Sequence, residues 1–156
     1  NEGALCFITE VTVKIFRYYP ENFRFYGFTA DNMKIGFKLL RQVMADGYHP
    51  SVARLYDAED ARQHGFDKFA GERCVLIFMT EGPASISKAT GDAIESICAE
   101  YSEIKTVDSK IIEDWFYGLN WGPDKISAER EFIKKHMQMG CTTEVAGNWS
   151  CINEIY

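Results

Sequence analysis

The feature that most restricts this chain is the unbroken apolar run Cys74-Val75-Leu76-Ile77-Phe78-Met79. It is too short to span a membrane and has no polar face to offer to water, so it reads as a central strand. Residues 23–29 (F-R-F-Y-G-F-T) alternate as a strand should, residues 51–56 (S-V-A-R-L-Y) form another, and residues 104–107 a short fourth. A helix is predicted over residues 31–46, with Asp31 as N-cap, Met33, Gly36, Phe37, Leu40 and Met44 at helical spacing, and Gly47 as the stop. Gly82-Pro83 opens a second helix over 83–102, where Ile86, Ala89, Ala93, Ile97 and Tyr101 follow the 3.6 period. Residues 58–69 are polar and helical in character. The order β-α-β-β-α-β predicts an α+β fold of the split-βαβ, ferredoxin-like kind: an antiparallel four-stranded sheet with both long helices on one face.

Flanking segments are less regular. Residues 9–16 (T-E-V-T-V-K-I-F) alternate, with Val11, Val13 and Ile15 on one face, and predict a half-buried strand. Pro20 then marks a boundary within the connector 17–22. Beyond Val107 the pattern predicts a short helix near 111–117, a turn at 120–123, a helix over 127–139 ended by Gly140, an extended stretch 141–145 and a new helical start near Ser150. The chain stops at Tyr156 inside that helix, and the expectation is one piece of a longer protein.

With 156 residues and 46% hydrophobic side chains there is enough chain for one core. Lys and Arg number 17 against 23 Asp and Glu, a net charge of −6, and that field repels phosphate backbones and anionic lipid. Nucleic-acid binding and integral membrane segments are not expected, and the chain reads as soluble and cytoplasmic. Cys6, Cys74, Cys98, Cys141 and Cys151 contain no Cys-x-x-Cys pair, and His49, His64 and His136 are scattered, so neither a disulfide framework nor a metal site is signalled. The cysteines read as small hydrophobes and the histidines as solvated or packing groups. The aromatic segment Trp115 to Trp121 reads as an anchor for a helix pair, with a ligand-facing role as the alternative.

Residues 2–14 (E-G-A-L-C-F-I-T-E-V-T-V-K) carry more information. Small residues before a strand permit close backbone approach to a ligand, though by pattern alone a loop entering an edge strand is the simpler reading. The stretch resembles the E-G-T-L-G-I-I-T-E-V-T-L-K signature that ends the FAD-binding domain of the vanillyl-alcohol-oxidase-type flavoproteins. Cys6 stands where that family has glycine, and Phe7 is bulkier than its usual counterpart. The rest is similar to the FAD-linked oxidase C-terminal, or cap, domain, most of all to alkyldihydroxyacetonephosphate synthase and its D-lactate dehydrogenase and glycolate oxidase relatives. Three blocks carry that resemblance: Ser51 to Asp57 with S-I-R-L-M-D, Phe78 to Gly82 with L-L-F-E-G, and Arg130 through Glu144 to Trp149 with R-D-L…G-E-S-F-E-T-S-A-P-W.

The resemblance implies FAD as cofactor, with Glu2, Gly3, Ala4, Leu5, Cys6, Phe7 and Ile8 lying along it. It implies that residues 1–22 are the last strand of an FAD-binding domain plus a connector, and that residues 23–156 are a ferredoxin-like substrate domain truncated at its C-terminus. Arg54 and Arg130 fall on arginines of the synthase's active site, Arg54 as a catalytic and substrate-binding residue and Arg130 as a substrate-binding one. A guanidinium fork suits a small anionic substrate, a 2-hydroxy acid or a phosphate ester. Without a ligand each arginine would be a surface residue or the partner of a carboxylate such as Asp57 or Glu144. The expected partners are that substrate and the FAD-binding domain, with a homodimer also open. The alternative in another class is a non-catalytic ferredoxin-like binding or oligomerisation module.

Overall fold

The computed structural model describes residues 5–137 and 144–156. Four strands, β1 (Arg24–Ala30), β2 (Val52–Tyr56), β3 (Cys74–Thr80) and β4 (Ile104–Val107), form one sheet in the order β2-β3-β1-β4. Every pairing is antiparallel, with Gly27 opposite Ile77 on β3 and Val107 on β4, and Arg54 opposite Ile77 on β2's side. This is the ferredoxin-like order that the sequence predicts.

All seven side chains of β3 are buried, which requires cover on both faces of the sheet. One face packs against α1 (Met33–Ala45) and α4 (Ala84–Ala99), where Phe28, Leu76 and Phe78 meet Leu39, Val43, Ile94 and Ile97. Alternate residues of the same strands face the other way. There Tyr56, Val75 and Ile77 pack with Ala61 of α2 (Ala58–Gln63), Ala70 of α3 (Asp67–Ala70) and Ile112 of α5 (Ser109–Gly118). The two long helices share a face, as predicted. The second helical layer comes from the polar segment 58–69 and from the short helix read near 111–117.

Both long helices are rotated from the apolar stripes read in the sequence. On α4 the buried positions are Ser87, Gly91, Ile94, Ile97 and Cys98, while Ile86 is 59% exposed and Ala89 is also exposed. Small residues decide the orientation: a Cβ on Gly91 would collide with the Tyr26 hydroxyl, so glycine lets the helix lie close on β1. Ser87 is affordable in the core because its Oγ donates to the Asn22 carbonyl at 2.6 Å and accepts from Thr80 Oγ1 at 2.9 Å. On α1 the buried residues are Gly36, Leu39 and Val43, and Met44 is exposed. Its N-cap is Asn32, whose side chain accepts from the Ile35 N–H at 3.1 Å, in place of the expected Asp31. Asp31 is engaged by Arg73.

Residues 58–69 form two short helices, interrupted at Gly65, where φ is +75°. The helix predicted near 111–117 is α5, and that over 127–139 is α6 (Pro123–His136), which starts earlier and buries no residue. A last turn, α7 (Ile152–Ile155), follows Ser150. Gly140 and most of the stretch 141–145 lie outside the described residues. The strand expected over 9–16 does not form: among the described residues no strand pairs with it, and Val11, Val13 and Ile15 are exposed. An alternating pattern specifies a strand only where another strand completes its ladder.

Arg73 ties the strand ends together. Its Nε donates to Thr29 Oγ1 at 2.9 Å, its Nη2 to the Thr29 and Glu103 carbonyls, and its Nη1 to the Asp31 carboxylate. One guanidinium therefore fastens the end of β1 to the starts of β3 and β4. Arg73→Ala leaves these acceptors unmet, and urea unfolding should show a loss of about 2–3 kcal/mol. A loss within experimental error would mean that the strand ends hold without it.

Candidate functional site

Strand β2 is a sheet edge, and its alternation sorts its side chains. Val52, Arg54 and Tyr56 point to the face covered by α2, α3 and α5, with Leu55 pointing to α1. Tyr56 is 6% exposed in that second core, against Trp115 at 6.3 Å and Phe66 at 6.1 Å between ring centroids. Arg54 lies one pleat nearer the rim and is exposed. Its Nη1 donates to the Tyr56 hydroxyl at 3.0 Å, and its guanidinium carbon sits 5.4 Å from the Trp115 ring centroid. Among the described residues no carboxylate is within ion-pair distance of Arg54. Among the described residues the Arg54 guanidinium is thus held by an aromatic hydroxyl and a ring face and by no carboxylate.

The carboxylates considered as partners for Arg54 are elsewhere. Asp57 caps α2, accepting from the Asp60 N–H at 2.7 Å, and also accepts from the Tyr156 hydroxyl at 2.7 Å. These bonds, the backbone one foremost, hold its carboxyl below the ordinary carboxylate value. Glu144 is exposed. Tyr156 and Asp57 line a cleft of about 870 Å³ with Met33, Phe37, Arg62 and Glu72. A second cleft, of about 620 Å³, opens where β1 runs on past the end of β4, and is edged by Tyr26, Asp92, Glu95, Asp108 and Glu113. Arg54 lines neither.

Arg130 is exposed on α6. That helix makes none of the main packing contacts with the sheet, so the described residues do not bring the two arginines together. Leu5, Cys6, Phe7 and Ile8 are exposed and outside the sheet, whereas Glu2, Gly3 and Ala4 lie outside the described residues. Trp149 is 41% exposed. His49 and His136 are exposed, and His64 packs its ring 4.6 Å from Tyr56. Burial raises the thiols of Cys74 and of Cys98, the latter to about 12, which leaves them unsuited to nucleophilic work. The aromatic segment splits: Phe116 packs on Phe25 of the sheet, Trp115 packs in the second core against Phe66, between α2 and α3, and Trp121 is 58% exposed. Among the described residues no cluster of three or more His, Cys, Asp or Glu could hold a metal, and no helix is long and apolar enough to cross a membrane.

Two members of these constellations are not singled out in the sequence. Arg54 and Tyr56 are two apart on a strand and therefore share a face, which is a usable signal. The pairing of Asp57 with Tyr156, 99 residues away, has none. The Tyr156 hydroxyl is pushed up to about 12, first by its bond to the Asp57 carboxylate. Its folded value lies above the ordinary 10.0, so that bond contributes fully below pH 10 and is lost as pH rises towards 12; Asp57, held low, retains its part above the ordinary 3.8 and loses it as pH falls further. Burial also raises the Tyr26 hydroxyl, so ultraviolet phenolate titration should show late-ionising tyrosines of which Asp57→Asn returns one, Tyr156, towards 10; a titration unchanged by Asp57→Asn would exclude the pair.

No family model matches the chain. Over all 156 residues it is 62% identical to the FAD-linked oxidoreductase YgcU of Escherichia coli O157:H7 and 61% identical to that of Escherichia coli strain K12. It spans 32% of the length of each of these curated relatives. Over 62 residues, 40% of this chain and 10% of the other, it is 37% identical to the alkyldihydroxyacetonephosphate synthase of Trypanosoma brucei brucei. A solved structure of alkyldihydroxyacetonephosphate synthase superposes on 74% of this chain and 22% of its own, with a TM-score of 0.45 and 16% identity, a likeness too distant to carry residue roles. Similarity over the whole chain to a segment of an FAD-linked oxidoreductase disfavours a free-standing binding module.

Proposed function

We propose that the chain supplies the substrate-binding cap of an FAD-dependent oxidoreductase or flavin-using synthase, and that Arg54 holds the anionic end of its substrate. The observation that supports this most is an exposed guanidinium, fixed by Tyr56 and Trp115, with no carboxylate partner among the described residues. An unpaired charge on a rim of aromatic side chains favours an incoming carboxylate or phosphate over a structural ion pair. A 2-hydroxy acid and a phosphate ester both fit that chemistry. Arg130, exposed on α6, is the second substrate contact in this reading, reached from a helix that has its flank free.

Residues 1–22 would belong with an FAD-binding domain, and residues 23–156 with the cap. The exposed apolar side chains of Leu5, Phe7, Val11 and Val13 support that division, because such a stripe is normally covered. Glu2 through Ile8 would hold the cofactor by main-chain contact. When bound, FAD supplies two-electron redox chemistry. The chain's own part is to bind the anion, orient the reacting carbon and keep its charge fixed at every working pH, which a guanidinium does. A cytoplasmic setting completes the proposal.

In the full-length enzyme, Arg54→Lys keeps the charge and loses the planar fork. Turnover should fall by roughly 100-fold with flavin content unchanged, the weight of a bidentate charge-assisted contact. Steady-state kinetics with flavin quantification decides: wild-type turnover would remove Arg54 from the reaction, and loss of flavin would make it structural.

A further inference from the structure

Given that reading of Arg54, the neighbouring side chains acquire roles of their own. A free arginine on an edge strand samples many rotamers, and ordering it on a ligand costs entropy. Arg54 is restrained twice: one Nη1 proton goes to the Tyr56 hydroxyl at 3.0 Å, and the guanidinium sits over the Trp115 ring at 5.4 Å. Both supports are rooted in the core. Tyr56 is 6% exposed and is flanked by the rings of His64 at 4.6 Å, Phe66 at 6.1 Å and Trp115 at 6.3 Å. Trp115 lies on α5, three residues after the fully buried Ile112, whose side chain fills the space that Gly27 leaves open on β1.

A guanidinium carries five N–H donors in one plane. With one Nη1 proton engaged and one face turned to an indole, the Nε–Nη2 edge is left with two parallel donors, the pattern that a carboxylate or phosphate accepts. The Trp115 indole N–H is buried without an acceptor among the described residues, so what this side chain gives Arg54 is its ring face.

We propose that Tyr56 and Trp115 are positioning residues that hold the Arg54 guanidinium with its Nε–Nη2 edge presented to the substrate anion. The inference rests on Arg54 being the anion-binding group, and the two ideas fail separately in one experiment. Calorimetric titration of the full-length, flavin-loaded enzyme with oxalate, and in parallel with inorganic phosphate, measures anion affinity without knowledge of the substrate and tells a carboxylate site from a phosphate site. Tyr56→Phe, which keeps the ring, should weaken the preferred anion about tenfold, and Trp115→Leu about threefold, the weight of a charged hydrogen bond and of an exposed cation–π contact respectively. Trp115→Phe, which restores a ring face, should recover affinity to within about twofold. A purely structural role would lower thermal midpoint in Trp115→Leu without moving the affinity of the folded enzyme. If Arg54→Lys weakens the anion while Tyr56→Phe and Trp115→Leu bind it as wild type does, the positioning roles are wrong and the anion site stands. If Arg54→Lys binds as wild type, or neither anion binds the wild-type enzyme, both are wrong.

Discussion

Burial of β3 on both faces is the constraint from which the rest follows. A strand with seven buried side chains cannot exist with one face wet, so the chain must deliver a helical layer to each side of the sheet. The long helices α1 and α4 supply one layer. The other is pieced together from α2, α3 and α5, and two of the side chains packed in it, Tyr56 and Trp115, are also the ones that touch Arg54. The candidate site is thus the rim of the second core: packing that protects Val75 and Ile77 from water also fixes the residues that hold the guanidinium.

The position of Arg54 at the sheet edge gives that packing its functional meaning. One pleat further along β2, Tyr56 is sealed in the core, and an arginine there would need a buried counter-charge at a cost of several kcal/mol. At the rim the stem of Arg54 can lie along aromatic surface while its head stays open to an anion. Asp57, the nearest carboxylate in sequence, is drawn off to cap α2 and to accept from Tyr156, and so leaves the guanidinium uncompensated.

Much of this fold was legible in the sequence because it follows from short-range rules. The alternation of residues 23–29, the apolar run of β3 and the stop at Gly47 place the strands and α1 without knowledge of contacts. The faces of the helices were harder, since apolar residues are not the only ones that go inside: Ser87 and Gly91 are buried on α4, and Ile86 is left out. Those choices are made by Tyr26 and Asn22, neighbours in space alone. Residues 9–16 show the reverse case, a clear strand pattern with no strand, because ladder partners are a property of the surroundings. At the site, Arg54 could be picked out by resemblance, whereas its match with Trp115 depends on α5, packed on β1, carrying that ring to the guanidinium. The exposed apolar stripe of residues 5–16 and the unburied helix α6 are surfaces whose cover the described residues do not provide.

On the proposed function, the rim bearing Arg54 holds the substrate anion beside the flavin. A crystal structure of the full-length enzyme with FAD and oxalate bound tests it most directly. The account predicts oxalate on the Nε–Nη2 edge of Arg54, lying between that guanidinium and the flavin ring, with Tyr56 and Trp115 in their present contacts. Oxalate and flavin placed at the Asp57–Tyr156 cleft or at the open edge of β1, with Arg54 in bulk water, would contradict it.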